Sequence, residues 1–257
     1  MTIRTRRTDA LMATAGTVLL VAALSGCGST DAEDAAAEHK SFAFSGKALT
    51  IDAENSTLDL VPADVEQIEV TRRVDGWVVL GSGPDPVWKL EGDELRLQVK
   101  CRAVVSNCEA HHEVKVPRGL ALTVQGDNGE VTAAGFTAPL TISADNGGVT
   151  VRDASGPLKL SADNGSIEAE RVSGSSVIAR SDNGSVQLGF TRAPDLVDTV
   201  SDNGSISIDL PGGKSVYAVS AEADNGDVSV DVPRNESSEH VVKARSDNGE
   251  VTVRSAN

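Results

Sequence analysis

The chain has 257 residues, 39% hydrophobic, 24% charged and only 3% aromatic, with a formal net charge of −15. That acid excess excludes nucleic acid as a partner, because phosphate binding needs clustered Lys and Arg that release counterions. It speaks equally against docking on an anionic membrane through a basic patch, while the length suffices for one large domain or two small ones with a real core.

Arg4, Arg6 and Arg7 precede an apolar run from Ala10 to Leu24. A basic start followed by an apolar stretch too short to span a bilayer comfortably is the pattern of an export signal. The run ends in Leu24-Ser25-Gly26-Cys27, which resembles the lipobox of bacterial lipoproteins. The resemblance implies a signal peptide over 1–26, cleavage before Cys27 and acylation (palmitate) of its thiol. An ordinary secretory signal with an incidental cysteine is the alternative. Several acyl chains hold a protein to a bilayer far better than one. The expected location is therefore the cell membrane, lipid-anchored and facing the extracytoplasmic side, with the membrane itself as one partner. Residues 27–40 are small and acidic, without a periodic apolar face, and read as a flexible tether. Without its first 27 residues the chain holds 20 basic and 37 acidic side chains, a net of −17.

Residues 41–118 are strand-rich but irregular, with alternating segments at Gln67–Arg73, Glu94–Lys100 and Glu113–Val116. They carry Trp77, Trp88, Cys101 and Cys108, which suits a capping region on the first rung of a stack. Downstream of an export signal, Cys101 and Cys108 are expected to form a disulfide around the short loop Arg102–Asn107. The rival is a metal site with His111 and His112, since thiolate and imidazole suit zinc. Adjacent residues of a strand point to opposite faces, which weakens it.

Residues 119–257 are organised by one tripeptide. It recurs as Asp127-Asn128-Gly129, Asp145-Asn146-Gly147, Asp163-Asn164-Gly165, Asp182-Asn183-Gly184, Asp202-Asn203-Gly204, Asp224-Asn225-Gly226 and Asp247-Asn248-Gly249. The intervals are 18, 18, 19, 20, 22 and 23 residues, the spacing of a stacked-repeat architecture. Five residues before each Asp stands Leu or Val (Leu122 to Val242), and four after it Val or Ile (Val131 to Val251). The residue just before the Asp is always small, and the one five after it always polar, so each repeat reads as strand, turn, strand. A degenerate eighth copy, Ala53 to Leu60, keeps an Asn at Asn55. The last copy ends at Val253, where an uncapped edge is open to another chain unless Glu250 and Arg254 blunt it.

Two all-β folds satisfy this pattern. One is an antiparallel β-meander of Asn-Gly hairpins with type I′ turns. The other, preferred here, is a parallel β-solenoid of about 7–8 coils, in which each apolar column meets its own copy at about 4.8 Å and Asn side chains form ladders. A fourteen-strand open meander would leave an apolar face uncovered. The lipobox, the short capped strand region and the S/A-D-N-G-x-V/I-x-V core resemble the putative-adhesin family of bacterial envelope proteins, a domain of unknown function related to the head-GIN domains. The resemblance covers Leu49 to Ser255. It implies a single-domain right-handed parallel β-solenoid with a surface or adhesion role, and it brings no catalytic residue.

The turn glycines permit positive φ, Asn tolerates it, and the Asp carboxylate can accept a turn N–H as an Asx cap. In a stack, the Asp carboxylates would also line up about 5 Å apart, each pair repelling by about 0.8 kcal/mol at water's dielectric. Ca²⁺ along this column is thus the one cofactor expectation, beside none at all. No unique acidic pair, nucleophile–base pair or phosphate loop leaves the repeat register, so no catalytic residue and no metal ligand is assigned. His39 falls in the tether, and His240 follows a polar connection and is expected exposed. The two widest intervals, Leu210–Val216 and Asp231–Val241, read as insertions where specificity could sit. A non-catalytic binding or scaffold module is the expected function, with an envelope protein or glycan as partner. The alternatives are a polysaccharide-active β-helix enzyme and an envelope-stress accessory or sensor protein.

Overall fold

The computed structural model describes residues 35–256, so the expected signal peptide, Cys27 and most of the tether lie outside the described residues. Nineteen strands form a single sheet, and among the described residues there is no helix. Seventeen strands run parallel and wind nearly closed around one axis as a right-handed β-solenoid.

Each coil takes two strands separated by the tripeptide turn. The first coil is β2 (Ala48–Glu54) and β3 (Ser56–Ala63). It is followed by β6 (Ala121–Asn128) with β7 (Val131–Ala134), and β8 (Leu140–Asn146) with β9 (Val149–Arg152). Next come β10 (Leu158–Asn164) with β11 (Ile167–Val172), and β12 (Ser176–Asn183) with β13 (Val186–Phe190). The last three in chain order are β14 (Leu196–Asn203) with β15 (Ile206–Pro211), β16 (Ala218–Asn225) with β17 (Val228–Asp231), and β18 (Val241–Asn248) with β19 (Val251–Ala256). Equivalent residues stack directly: Leu158 lies between Leu140 and Val177, and Ile167 between Val149 and Val186. This register excludes the hairpin meander. Period-two alternation is the cause. Apolar positions of both strands point inward and are buried, while the polar position between them faces out. Eight coils result, and the degenerate copy around Asn55 is one of them, pairing with β6 and β7.

The coils do not stack in chain order at either end. β14 pairs with β18 and β15 with β19, while β16 and β17 pair only with β18 and β19. The chain leaves β15, skips one layer, forms the outermost coil and then returns to fill the gap. The two longest intervals are what this costs: the 212–217 connection must climb two layers and the 232–240 connection must descend one. They are crossing connections, not simple insertions. The expected uncapped edge at Val253 is therefore corrected, because that coil lies inside the stack with Val251 and Val253 fully buried. The open edge belongs to β16–β17, where Val228 is 45% exposed.

At the other end the same device recurs. β5 (Glu94–Pro117) lies parallel to β2 through residues 94–98 and parallel to β3 through residues 110–117, adding a ninth layer beneath the first coil. β4 (Ile68–Glu91) runs antiparallel along the whole of β5, and β1 (Glu38–Phe42) closes against Ile68–Arg72. Between its two docked halves the β4–β5 ribbon leaves the stack as a flap, where residues 78–82 face residues 102–106.

The layer order makes a direct prediction. In the full chain, Asp198→Cys with Lys243→Cys, which lie side by side on neighbouring layers, should cross-link on oxidation, and Asp198→Cys with Ser220→Cys, two layers apart, should not, whereas a stack in chain order would reverse the two results.

Candidate functional site

The tripeptide turns form one continuous edge of the solenoid. Along it, Asn side chains make an unbroken ladder. Asn128 Nδ2 donates to Asn55 Oδ1, Asn146 to Asn128, Asn164 to Asn146, Asn183 to Asn164, Asn203 to Asn183, Asn248 to Asn203 and Asn225 to Asn248, all at 3.1–3.2 Å. From Asn164 onward the same nitrogen also reaches the Asp carbonyl of the preceding rung, as Asn183 does at Asp163 O (3.3 Å). A carboxamide suits this place because it carries donor and acceptor on one group and so complements its own copy. The backbone reads across as well: Gly184 N–H donates to Asn203 O at 3.1 Å. Such bonds to the next coil replace the within-turn bond of a hairpin.

Of the seven turn glycines, Gly129 (φ 131°) and Gly226 (φ 159°) take up the expected positive φ, and the other five have a different cause. Gly147, Gly165, Gly184, Gly204 and Gly249 have no left-handed φ. What they need is space, since a Cβ on Gly165 would overlap the carbonyl oxygen of Gly147, and one on Gly184 that of Gly165. The small residues before each Asp serve the same contact from inside. Buried Ser181, Ser201 and Ser246 donate from Oγ to the carbonyls of Gly165, Gly184 and Gly204 at 2.9–3.0 Å.

The Asp carboxylates do not cap the turns. Asp127, Asp145, Asp163, Asp182, Asp202 and Asp224 are exposed, and Arg245 bridges Asp224 (3.1 Å) and Asp247 (3.2 Å). Among the described residues no group of three or more His, Cys, Asp or Glu side chains is arranged to hold a metal ion.

Cys101 and Cys108 are joined in a disulfide with Cα atoms 6.4 Å apart, at the root of the flap. The thiolates of the rival metal site are thereby used. His111 and His112 face opposite ways. His111 Nε2 is hydrogen-bonded to Asp59 Oδ2 at 2.7 Å, whereas His112 is fully buried with both ring nitrogens unpartnered. Arg72, opposite His112 on β4, is also buried. It pairs with Glu38 and lays its guanidinium 3.9 Å from the centre of the Trp88 ring, whose other cationic neighbour is Lys40 at 5.6 Å. Burial first, then Arg72 and His111, push the His112 pKa down to about 3.

The outer faces offer no convergent chemistry. A shallow groove of about 260 Å³ lies around Gly189, but its Glu170 and Asp209 are paired with Arg152 (3.1 Å) and Arg254 (2.5 Å). Phe136, Phe190 and Tyr217, the aromatics of the repeat region, are all buried and present no stacking face. His240, expected exposed, is half-buried against Tyr217 with Nδ1 2.8 Å from Pro194 O. Two features escaped the sequence reading. One is the open coil β16–β17, signalled only by the two long intervals. The other is the apolar tip of the flap, signalled by Trp77-Val78-Val79-Leu80 between glycines.

The pattern of the Toastrack DUF4097 family matches residues 121–256, just over half of the chain. No curated protein matches it. Among solved structures, a putative cell adhesion protein from Clostridium sporogenes is similar at 10% identity with a TM-score of 0.38, covering 86% of this chain and 99% of that one. A putative adhesin from Parabacteroides merdae is similar at 10% identity with a TM-score of 0.28, covering 86% and 96%.

Two outcomes are expected. Gly165→Ala should cost about 3 kcal/mol in urea unfolding, since neither backbone can give way. Gly148→Ala, whose Cβ would sit 3.5 Å from Ser166 O, should stay within about 0.5 kcal/mol. The second concerns acid. Below about pH 6.5 the unfolded chain protonates His112 while the native one does not until about pH 3, so stability is lost as pH falls through that window. The loss is on the order of 4 kcal/mol. His112→Leu should remove that part of the slope, read as the difference between the two proteins' urea midpoints against pH.

Proposed function

The chain belongs to the Toastrack DUF4097 family, and on that premise we propose that it is a non-catalytic binding module, lipid-anchored at Cys27 on the extracytoplasmic side, that engages an envelope partner through the open end of its stack. The observation that carries this reading is the outermost coil. Among the described residues, the outer edges of β16 and β17 have no strand neighbour. The inward-column residues Val219, Ala221 and Val230 are half-exposed there, and Val228 is exposed. Elsewhere those same columns are sealed by the next coil. Such an edge accepts an added strand by main-chain hydrogen bonds, with the open apolar columns receiving alternate side chains. Binding of this kind needs no unique residue, in keeping with ionisable groups that lie scattered through the register. Against a polysaccharide-active enzyme at the groove around Gly189 stand the ion pairs that engage Glu170 and Asp209 there and the lack of an aromatic residue in its lining.

The test compares cells displaying the full chain with cells displaying Val228→Lys, using cross-linking from β16–β17 in intact cells. A partner captured by the native chain and reduced about tenfold or more by the variant, with an unchanged circular dichroism spectrum, is the expected result. Cleavage of cell-wall or extracellular glycan by the purified protein, or equal capture by both chains, would overturn it.

A further inference from the structure

The flap displays apolar side chains that the fold does not need. Leu80 is 81% exposed, Val104 78%, Trp77 53%, Val105 52% and Val79 48%, and they share the tip of one ribbon. Isolated exposed apolar residues are ordinary, but a contiguous group marks an interaction surface. Its display is enforced. The Cys101–Cys108 disulfide ties the root, and Gly76 and Gly83 let β4 pass directly against Cys108 and Cys101. Leu80 is held with φ at 55°, a left-handed conformation that costs a bulky side chain energy and that the ribbon maintains at the tip.

Charge and position say what covers this tip. The flap residues 76–83 and 100–107 contain no acid and two bases, Lys100 and Arg102, in a chain of net charge −15. The tether enters the structure beside it: β1 begins at Glu38 and pairs with the part of β4 that leads into the flap. From Cys27 to Glu38 the chain spans at most about 40 Å. From Arg72 to Leu80 along β4 it spans about 26 Å. A lipid on Cys27 therefore holds the tip within reach of the bilayer, while the open β16–β17 edge stands eight layers away, roughly 38 Å.

We propose that the flap is a membrane-seating surface: Trp77, Val79, Leu80, Val104 and Val105 insert at the headgroup level of a phospholipid bilayer, their apolar contact carrying the seating where the chain's acid excess rules out a basic patch, and Lys100 and Arg102 meet lipid phosphates. Trp is suited to this depth, with an apolar ring and one donor. The disulfide supplies preorganisation, so little conformational entropy is lost on contact. The proposal rests on the anchored reading for its geometry, and the two are tested separately.

Membrane-extracted full chain is reconstituted in phosphatidylethanolamine–phosphatidylglycerol vesicles carrying doxyl-labelled lipid. The Trp88→Phe chain keeps Trp77 as its sole tryptophan, and the Trp77→Phe chain keeps Trp88. Trp77 emission is expected to shift to the blue and to be quenched by the shallow doxyl label and shielded from iodide, while Trp88 responds to neither. Leu80→Ser with Val104→Ser, both at the exposed tip, should weaken Trp77 quenching about tenfold without altering thermal unfolding. Trp77 left open to iodide on vesicle-bound protein, or shielded equally by self-association without vesicles, would overturn the proposal. The mass of the N-terminal peptide reads the lipid on Cys27 independently.

Discussion

Each coil of this protein is packed mainly against copies of itself, and that constraint decides residue after residue. In a parallel in-register stack, every position must tolerate its own repeat about 4.8 Å above and below. Leu, Ile and Val do so inside, where Leu140, Leu158 and Val177 form one buried column. Asn does so at the turn because its amide donates to the copy below while its oxygen accepts from the copy above. Gly does so because its carbonyl lies where the next copy's Cβ would be. A charge tolerates its own copy poorly, so the seven Asp side chains stay at the solvent edge, where Arg245 spans two of them.

What was legible followed from that self-similarity. The alternation, the turn position, the Asn ladder and even the degenerate rung at Asn55 are local statements repeated many times, and each was readable from residues alone. The layer order was not, for the same reason. When every coil is a sound neighbour for every other, Val242 fits between Val197 and Val219 as well as it would fit beyond them. Only chain length breaks the degeneracy, and the intervals of 22 and 23 residues carried that information without naming it. Five of the seven turn glycines misled in a related way, since a turn glycine suggests backbone conformation, as Gly129 and Gly226 do show, and at the five the need is clearance from another coil.

The ends of the stack lose this repetition and are built from unlike parts. At the first end, Arg72 stacks on Trp88 and pairs with Glu38, and His112 is sealed uncharged beneath them. An isolated alternating strand cannot reveal such a cap, because Arg72 occupies an inward position that periodicity assigns to an apolar residue. The flap defeats periodicity from the opposite side. Val79, Leu80, Val104 and Val105 read as core, yet the ribbon has already left the stack where they occur.

The unlikeness of the ends also bears on how the stack avoids growing. An open parallel coil is a template for a further strand, and two copies meeting edge to edge would extend the sheet. Here the outermost coil, Ala218–Asp231, carries Glu222, Asp224, Asp227 and Asp231 and no base. Homotypic pairing would set these acids against their own copies, with the bases that could offset them, Lys243, Arg245 and Arg254, confined to the layer beneath. Pairing with the opposite end is blocked as well, since there the parallel layers terminate in the antiparallel β4–β5 ribbon and its projecting flap. The same acids leave a basic, alternating, extended segment as the strand that this edge would accept at least electrostatic cost.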